Sequence, residues 1–317
     1  MTFSKPILFL VFNRPEFTFQ SFKKIKELRP SKLYIAADGP RKNKIGEKEK
    51  CDLARSIVKD IDWPCDIKTL FRDNNLGCKL AVSSAIDWLF TFEEDGIILE
   101  DDCAADATFF QFCEKMLERY KTEDRIMMIC GSNYLYGSEK YPLPEFENSY
   151  FFSDYYPIWG WATWKRAWNF YNVDISSWES KRSRGDLYWL FPIKRLANHY
   201  KGMFDIVQYE GFNTWDIQWW YACIFNNGLS IVPKYNLIQN IGSEGVHTAT
   251  QGQSFLNMPV IPLDCETLKH PDFIYPQYDY NLQIYKIIGV LKTPWQLLKH
   301  KTKVFVGKKL GIDVPGW

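Results

Sequence analysis

GIILEDDCAADATFF, residues 96–110, is the stretch on which the reading of this chain turns. An apolar run climbs from Gly96 to Leu99 and meets Glu100, Asp101 and Asp102 with nothing between them. The run is short and rich in Ile and Leu, the pattern of a strand buried on both faces. Three adjacent carboxylates repel one another and resist burial. They make physical sense at a strand end if a divalent cation neutralises them. Mg²⁺ and Mn²⁺ prefer oxygen ligands, often one or two carboxylates together with phosphate oxygens. The other reading is an acidic loop at the start of the helix expected from Asp106, where negative charge is favourable. The triplet alone leaves both open.

Outward from this stretch, strands and helices alternate over the first 130 residues. Strands are read at PILFLVF (6–12), KLYIAADGP (32–40), CDIKTLF (65–71), GIILE (96–100) and RIMMIC (125–130). Between them, Pro15 and Glu16 open a helix with Phe22, Ile25 and Leu28 at helical spacing. Further helices are expected over 47–60, with Leu53, Ala54, Ile57 and Val58 inward, over 76–90 and over 106–120. Strands separated by helices of this length imply βαβ crossovers, hence an α/β fold with a mostly parallel sheet. Ligands of such sheets bind outside the carboxyl ends of the strands, which is where Glu100–Asp102 fall. After residue 130 the alternation stops. Residues 131–215 read as loop-rich and dense in Trp and Tyr, followed by a helix over 215–226 and a strand over 229–233.

The 317 residues, 46% of them hydrophobic, suffice for one large domain or two small ones. A net charge of +1 supplies no global field for nucleic acid, and no nucleic-acid partner is expected. Eight cysteines at irregular spacing show neither metal-finger nor redox pairs and read as reduced thiols of a cytoplasmic protein. The apolar run at 6–12 is too short to span a bilayer and reads as a first strand rather than a targeting segment. The 13 Trp, 18 Tyr and 23 Phe fit either a large aromatic core or a cleft whose flat rings stack on sugars.

Several segments together resemble the GT-A class of nucleotide-sugar glycosyltransferases. Within it the likeness is to the N-acetylglucosaminyltransferases that open N-glycan branching, and to their bacterial relatives. PILFLVFNRP resembles that family's first strand and Asn-Arg turn, and YIAADG its second strand. RDNNLGCKLAVSSAIDWLF resembles the N-x-G helix start of the class. LEDDCAADATFFQF resembles its metal motif, and NTWDIQWW (213–220) its late Trp-Asp segment. The likeness spans roughly 5–250, with Cys103 standing where the family usually has an aliphatic residue. It implies a Rossmann-like GT-A fold, a three-layer α/β/α sandwich, over residues 1–280. Residues 1–130 would be the nucleotide-binding half and 131–280 the acceptor-binding half. It further implies that Asn13 and Arg14 border the nucleotide and that Asp38 accepts hydrogen bonds from the base. Lys79 would meet phosphate, Glu100 would belong to the donor-binding residues, Asp101 would lie near the ribose and metal, and Asp102 would be the direct metal ligand. The donor would be a nucleoside diphosphate sugar, UDP-linked by analogy, with Mn²⁺ or Mg²⁺ as cofactor.

An acceptor hydroxyl must lose its proton as the glycosyl bond breaks, and a carboxylate can take it. Asp216, flanked by Trp215, Trp219 and Trp220, is the candidate base; the alternative is a helix cap beside Thr214. In DYYPIWGWATWKRAWNFY (154–171), Trp159, Gly160 and Trp161 are expected to wall the cleft, the alternative being an aromatic core plug. His247, in a Gly-rich segment, is a candidate for the metal or diphosphate, or an ordinary histidine. Residues 281–317 carry seven lysines against a single acid and are expected to form an appended basic tail. That tail either lies on an anionic membrane at the cytoplasmic face, suiting a lipid-linked glycan acceptor, or packs as a helix. The leading functional reading is a metal-dependent inverting glycosyltransferase acting on a glycan or lipid-linked glycan. The alternatives are a sugar-nucleotide pyrophosphorylase, for which a Gly-rich phosphate loop after the first strand is missing, and a non-catalytic carbohydrate-binding protein.

Overall fold

Every residue of β1 (Ile7–Val11) is buried, as a strand covered on both faces requires. Leu8 and Leu10 join one apolar cluster while Ile7, Phe9 and Val11 join another, because successive side chains point to opposite faces. The computed structural model describes residues 3–138, 141–242 and 258–291. The main strands after β1 are β2 (Lys32–Ala37), β3 (Asp66–Phe71), β4 (Asp95–Glu100), β6 (Ile126–Cys130), β7 (Tyr150–Ser153), β8 (Trp161–Trp164) and β9 (Leu229–Pro233). They form one eight-stranded sheet in the order β3-β2-β1-β4-β8-β6-β9-β7. Six strands run one way. β8 is antiparallel to both β4 and β6, and β7 is antiparallel to β9. Two short strands, β5 (Cys103–Ala105) and β10 (Ile238–Asn240), pair antiparallel outside this sheet.

The two clusters are the two faces of the sheet. α1 (Pro15–Leu28) and α4 (Ala107–Arg119) cover one, sending in Phe22, Ile25, Phe109, Phe112 and Met116, with α2 (Glu47–Ile57) beside α1. α3 (Gly77–Leu89), α8 (Lys194–Tyr209), α9 (Asp216–Phe225) and α10 (Tyr278–Ile287) cover the other, together with the short α5 (Lys165–Trp168), α6 (Trp178–Arg184) and α7 (Asp186–Leu190). The result is a three-layer α/β/α sandwich on a mostly parallel sheet, a Rossmann-like architecture.

Two sequence expectations are corrected and a third is extended. Leu53 is 53% exposed, because the inward stripe of α2 is Cys51, Ala54 and Val58, and Leu53 lies one position off it. Residues 131–215 are loop-rich as expected, but elements the sequence did not show lie among the loops. The stretch holds two strands and four helices, and in α8 Leu196, Ala197, Tyr200, Phe204 and Val207 recur at helical spacing on its buried face. The first part of the expected tail is core. α10 crosses residue 280, Ile284 and Tyr285 are buried, and Ile287, Ile288, Val290 and Leu291 pack against the same cluster. The remainder, 292–317, lies outside the described residues. All eight cysteines are free thiols, and no described helix is long and apolar enough to cross a membrane.

Candidate active site

The carboxyl ends of β1, β2 and β4 lie side by side, and each delivers a charged residue to the same edge. Pro15 occupies the first helical position of α1, where no N–H is needed, so the chain turns sharply after Arg14. The Arg14 guanidinium reaches across to the end of β4. Nη1 donates to Asp102 Oδ2 at 2.9 Å and Nη2 donates to Asp101 Oδ1. Asp101 is 2% exposed and also accepts from the Phe12 N–H. Against the cost of burial, the two aspartates raise the Arg14 pKa. Burial, then the charges of Asp102 and Asp101, pushes the Glu100 carboxyl up, and burial does the same to Asp101 against the pull of Arg14. Charge imbalance adds to burial. Three carboxylates meet one guanidinium, so the ionised cluster carries two negative charges more than it holds positive ones.

The alternative role as a helix cap goes elsewhere. Asp106 is the N-cap of α4, accepting from the Thr108 N–H at 2.8 Å and its hydroxyl at 2.6 Å. Glu100–Asp102 therefore stand free of that duty. After Asp102 the chain enters β5, which pairs with β10, and the Ile241 N–H donates to the Asp102 carbonyl. Gly242 then passes so close that a Cβ there would lie 2.5 Å from Asp102 Oδ2. The backbone thus passes against the carboxylate, an approach that only glycine permits. Among the described residues no three His, Cys, Asp or Glu side chains close a complete cation cage. The donor set nevertheless fits Mg²⁺ or Mn²⁺, which take one or two carboxylates and complete their shell with phosphate oxygens and water. His247 lies outside the described residues.

The other residues singled out from the sequence are held by partners that the sequence did not reveal. Asn13 donates to Glu47 at 2.9 Å, and the same carboxylate accepts from the Arg41 backbone N–H at 2.7 Å and from its guanidinium. Glu47 is 5% exposed, and the Arg41 guanidinium holds its carboxyl down at about 2. A carboxyl held lower in the folded than in the unfolded chain stabilises above its ordinary pKa, and that contribution is lost as the pH falls through the folded value. Glu47→Gln is therefore expected to cost about 1–2 kcal/mol at neutral pH. In acid denaturation the gap to wild type should be full above about pH 4.5 and close as the pH approaches about 2.

Asp38 closes β2 and serves α3. Leu76, at the N-cap of α3, makes no side-chain cap of its own. Asp38 substitutes from across the turn, accepting from the Leu76 N–H at 3.0 Å, the Gly77 N–H at 3.2 Å and Asn75 Nδ2 at 2.8 Å. Asp38→Ala should cost about 1–2 kcal/mol, read as a lowered denaturation midpoint at unchanged slope. Lys79 pairs with Asp174 at 3.0 Å, but Asp174 is 75% exposed and such pairs hold weakly. The Lys79 backbone N–H donates to Asn213 Oδ1 at 3.0 Å. Asn213 thereby ties the start of α3 to the segment that leads into α9.

That segment brings Asp216 to the edge. Trp215 is the N-cap of α9 without a side-chain cap bond, and Asp216 is the first helical residue, half-buried, accepting from the Thr214 hydroxyl. Gln218 Nε2 in turn holds the Thr214 carbonyl at 2.6 Å. The charge of Asp216 adds to burial in raising Glu100, Cys78 and Tyr155. The tryptophans around it go inward. Trp215 and Trp219 are 2% and 0% exposed, and both pack on Trp161 with ring centroids 5.6 Å apart.

Trp161 is therefore corrected from cleft wall to core. It is 1% exposed, because β8 runs between two sheet neighbours and both of its faces are covered. Gly160 has φ +61°, and a Cβ there would meet the Ile238 side chain at 2.6 Å. This left-handed residue breaks the alternation on which a shared face for residues 159 and 161 depended. Trp159 stays half-buried, its ring 5.1 Å from that of Tyr134.

No protein-family model matches the chain, and no curated protein matches it. Solved structures resemble parts of it. A 4-diphosphocytidyl-2C-methyl-D-erythritol synthase from Anaerococcus prevotii is 10% identical, over 52% of this chain and 73% of that one, with a TM-score of 0.33. Apo mouse xyloside xylosyltransferase 1 is 10% identical, over 70% and 81%, with a TM-score of 0.32. UTP-bound UGPase from Acinetobacter baumannii is 11% identical, over 41% and 58%, with a TM-score of 0.23. Likeness at this level does not fix an activity.

Proposed function

We propose that this chain is a metal-dependent inverting glycosyltransferase, moving a sugar from a nucleoside diphosphate sugar, UDP-linked by analogy, to a glycan or lipid-linked glycan at the cytoplasmic face. The reading rests on one observation above all. Three adjacent carboxylates at the end of β4 meet the Arg14 guanidinium from the end of β1 at the carboxyl edge of a mostly parallel sheet.

In this reading Asp102, with Asp101 behind it, would hold Mn²⁺ or Mg²⁺. Such an ion supplies Lewis-acid stabilisation of the charge that develops on a departing diphosphate. Arg14 stands beside both aspartates and would bind phosphate oxygens, while Lys79, tied only to an exposed carboxylate, would reach a second phosphate. Asn13 and Asp38 would border the nucleoside. On the far side, the acceptor hydroxyl gives its proton to Asp216 as its oxygen bonds to the anomeric carbon. The bond from that carbon to the diphosphate oxygen breaks, and its electron pair leaves with the diphosphate. One displacement assisted by one base inverts the anomeric centre. The Thr214 hydroxyl occupies one oxygen of Asp216 and leaves the other to accept the proton.

Incubation with UDP-, GDP-, CMP- and dTDP-sugars and Mn²⁺ tests the reading. Slow release of free nucleotide, accelerated by a glycan acceptor, is the expected result. Release of nucleoside triphosphate only when pyrophosphate is added would establish the pyrophosphorylase instead. Neither product with any donor would overturn both.

A further inference from the structure

α7 carries a feature the cleft does not use. Leu187 and Phe191 anchor it at either end, 2% and 8% exposed, with the Phe191 ring stacked 4.9 Å from that of Tyr200. Between these anchors Tyr188, Trp189 and Leu190 stand outside, 45%, 87% and 38% exposed. An open cavity of about 320 Å³ adjoins them, with Phe225 and Ile224 of α9 and Lys181 of α6 in its wall. Apolar side chains held outward by buried neighbours on both sides are a fixed tip, not a loose loop. The tip is flanked by cations. Residues 178–195 contain five Lys or Arg (181, 182, 184, 194 and 195) against Glu179 and Asp186. Arg182 and Arg184 pair with Asp205 and Asp186, whereas Lys181 and Lys194 have no carboxylate within 4 Å among the described residues.

We propose that this tip docks the protein on an anionic membrane surface, with Trp189 and Leu190 entering the headgroup region. Tryptophan concentrates at that depth, where an apolar ring and a polar N–H are both accommodated. Lysines around it gain from the negative surface potential of an anionic leaflet. The same positive rim argues against a second copy of the chain as occupant, since a two-fold contact would bring like charges together. Asp216 begins α9 and Phe225 ends it beside the tip, so about 14 Å of helix separates Asp216 from the docking surface. The proposal does not depend on the transferase reading, because its test measures vesicle binding and not turnover.

The test is flotation of the full chain with phosphatidylcholine vesicles, with and without phosphatidylserine. The chain should float with the anionic vesicles only and release as salt is raised. Trp189→Ser/Leu190→Ser should reduce the bound fraction about tenfold, with an unchanged melting curve, since neither residue is buried. Lys181→Glu/Lys194→Glu, which leaves the apolar tip intact, should weaken binding to the anionic vesicles. Failure of the wild-type chain to float overturns the proposal. So does full binding by both variants, which would place attachment elsewhere, as in residues 292–317. A concentration-dependent dimer that disappears in the Trp189→Ser/Leu190→Ser chain, without flotation of either, would overturn the lipid reading in favour of self-association.

Discussion

Asp102→Asn should lower sugar transfer roughly 10³-fold or more while the chain still unfolds in one cooperative transition. The substitution preserves size and removes the charge of a partly exposed acid that accepts from Arg14 Nη1. Losing an anionic oxygen from a hard-cation site removes both affinity and Lewis-acid assistance, which together amount to several kcal/mol. Titration calorimetry with Mn²⁺ and nucleoside diphosphate should show metal-dependent nucleotide binding in the wild type and its loss in the variant. Chelation of the wild type should reproduce the loss of turnover. Activity that survives thorough chelation, or an Asp102→Asn chain as active as wild type, would remove the metal from the mechanism. A melting curve separates this from misfolding, because Arg14 keeps its second partner, Asp101.

Asp216→Asn should have the opposite signature. Donor affinity and Mn²⁺ affinity should stay near wild type, while kcat falls about 10²–10⁴-fold, the usual contribution of a positioned base. The asparagine can still accept from the Thr214 hydroxyl, so the start of α9 keeps its local hydrogen bond. Hydrolysis or transfer measured at saturating donor separates the two roles. A collapse of donor binding with kcat preserved would make Asp216 a binding residue, and a lowered melting temperature with unchanged kinetics would make it a structural one.

Much of the scaffold was legible because the parallel strands are continuous apolar runs and their helices carry a clean stripe. β1, β2, β3, β4 and β6 fall within a few residues of the segments read from periodicity. β8 was not legible. WATW is four residues long and buried throughout, so it shows neither a run nor an alternation, and its place in the sheet follows from partners more than 30 residues away. The acidic strand end and Arg14 could be found because a charged cluster after an apolar run is a local signal. Glu47 and Asn213 could not. Their roles arise from contacts 34 and 134 residues distant along the chain, to Asn13 and Lys79. Trp161 shows the converse failure. Its residue type fits a sugar-facing wall, but burial is a property of the assembled sheet and leaves no mark on a four-residue segment.

The position of β8 also determines how the protein can be cut. A fragment ending at residue 130 would retain β6 but lose the strand that joins it to β4, because β8 lies between them and is contributed by the later sequence. Such a fragment would carry a raw edge on β4 and an orphan strand beside it, an invitation to aggregate. Expressed together, the two pieces should instead reassemble by donating β8 into the gap, which makes a break near residue 130 a natural seam for a split reporter whose signal requires both parts.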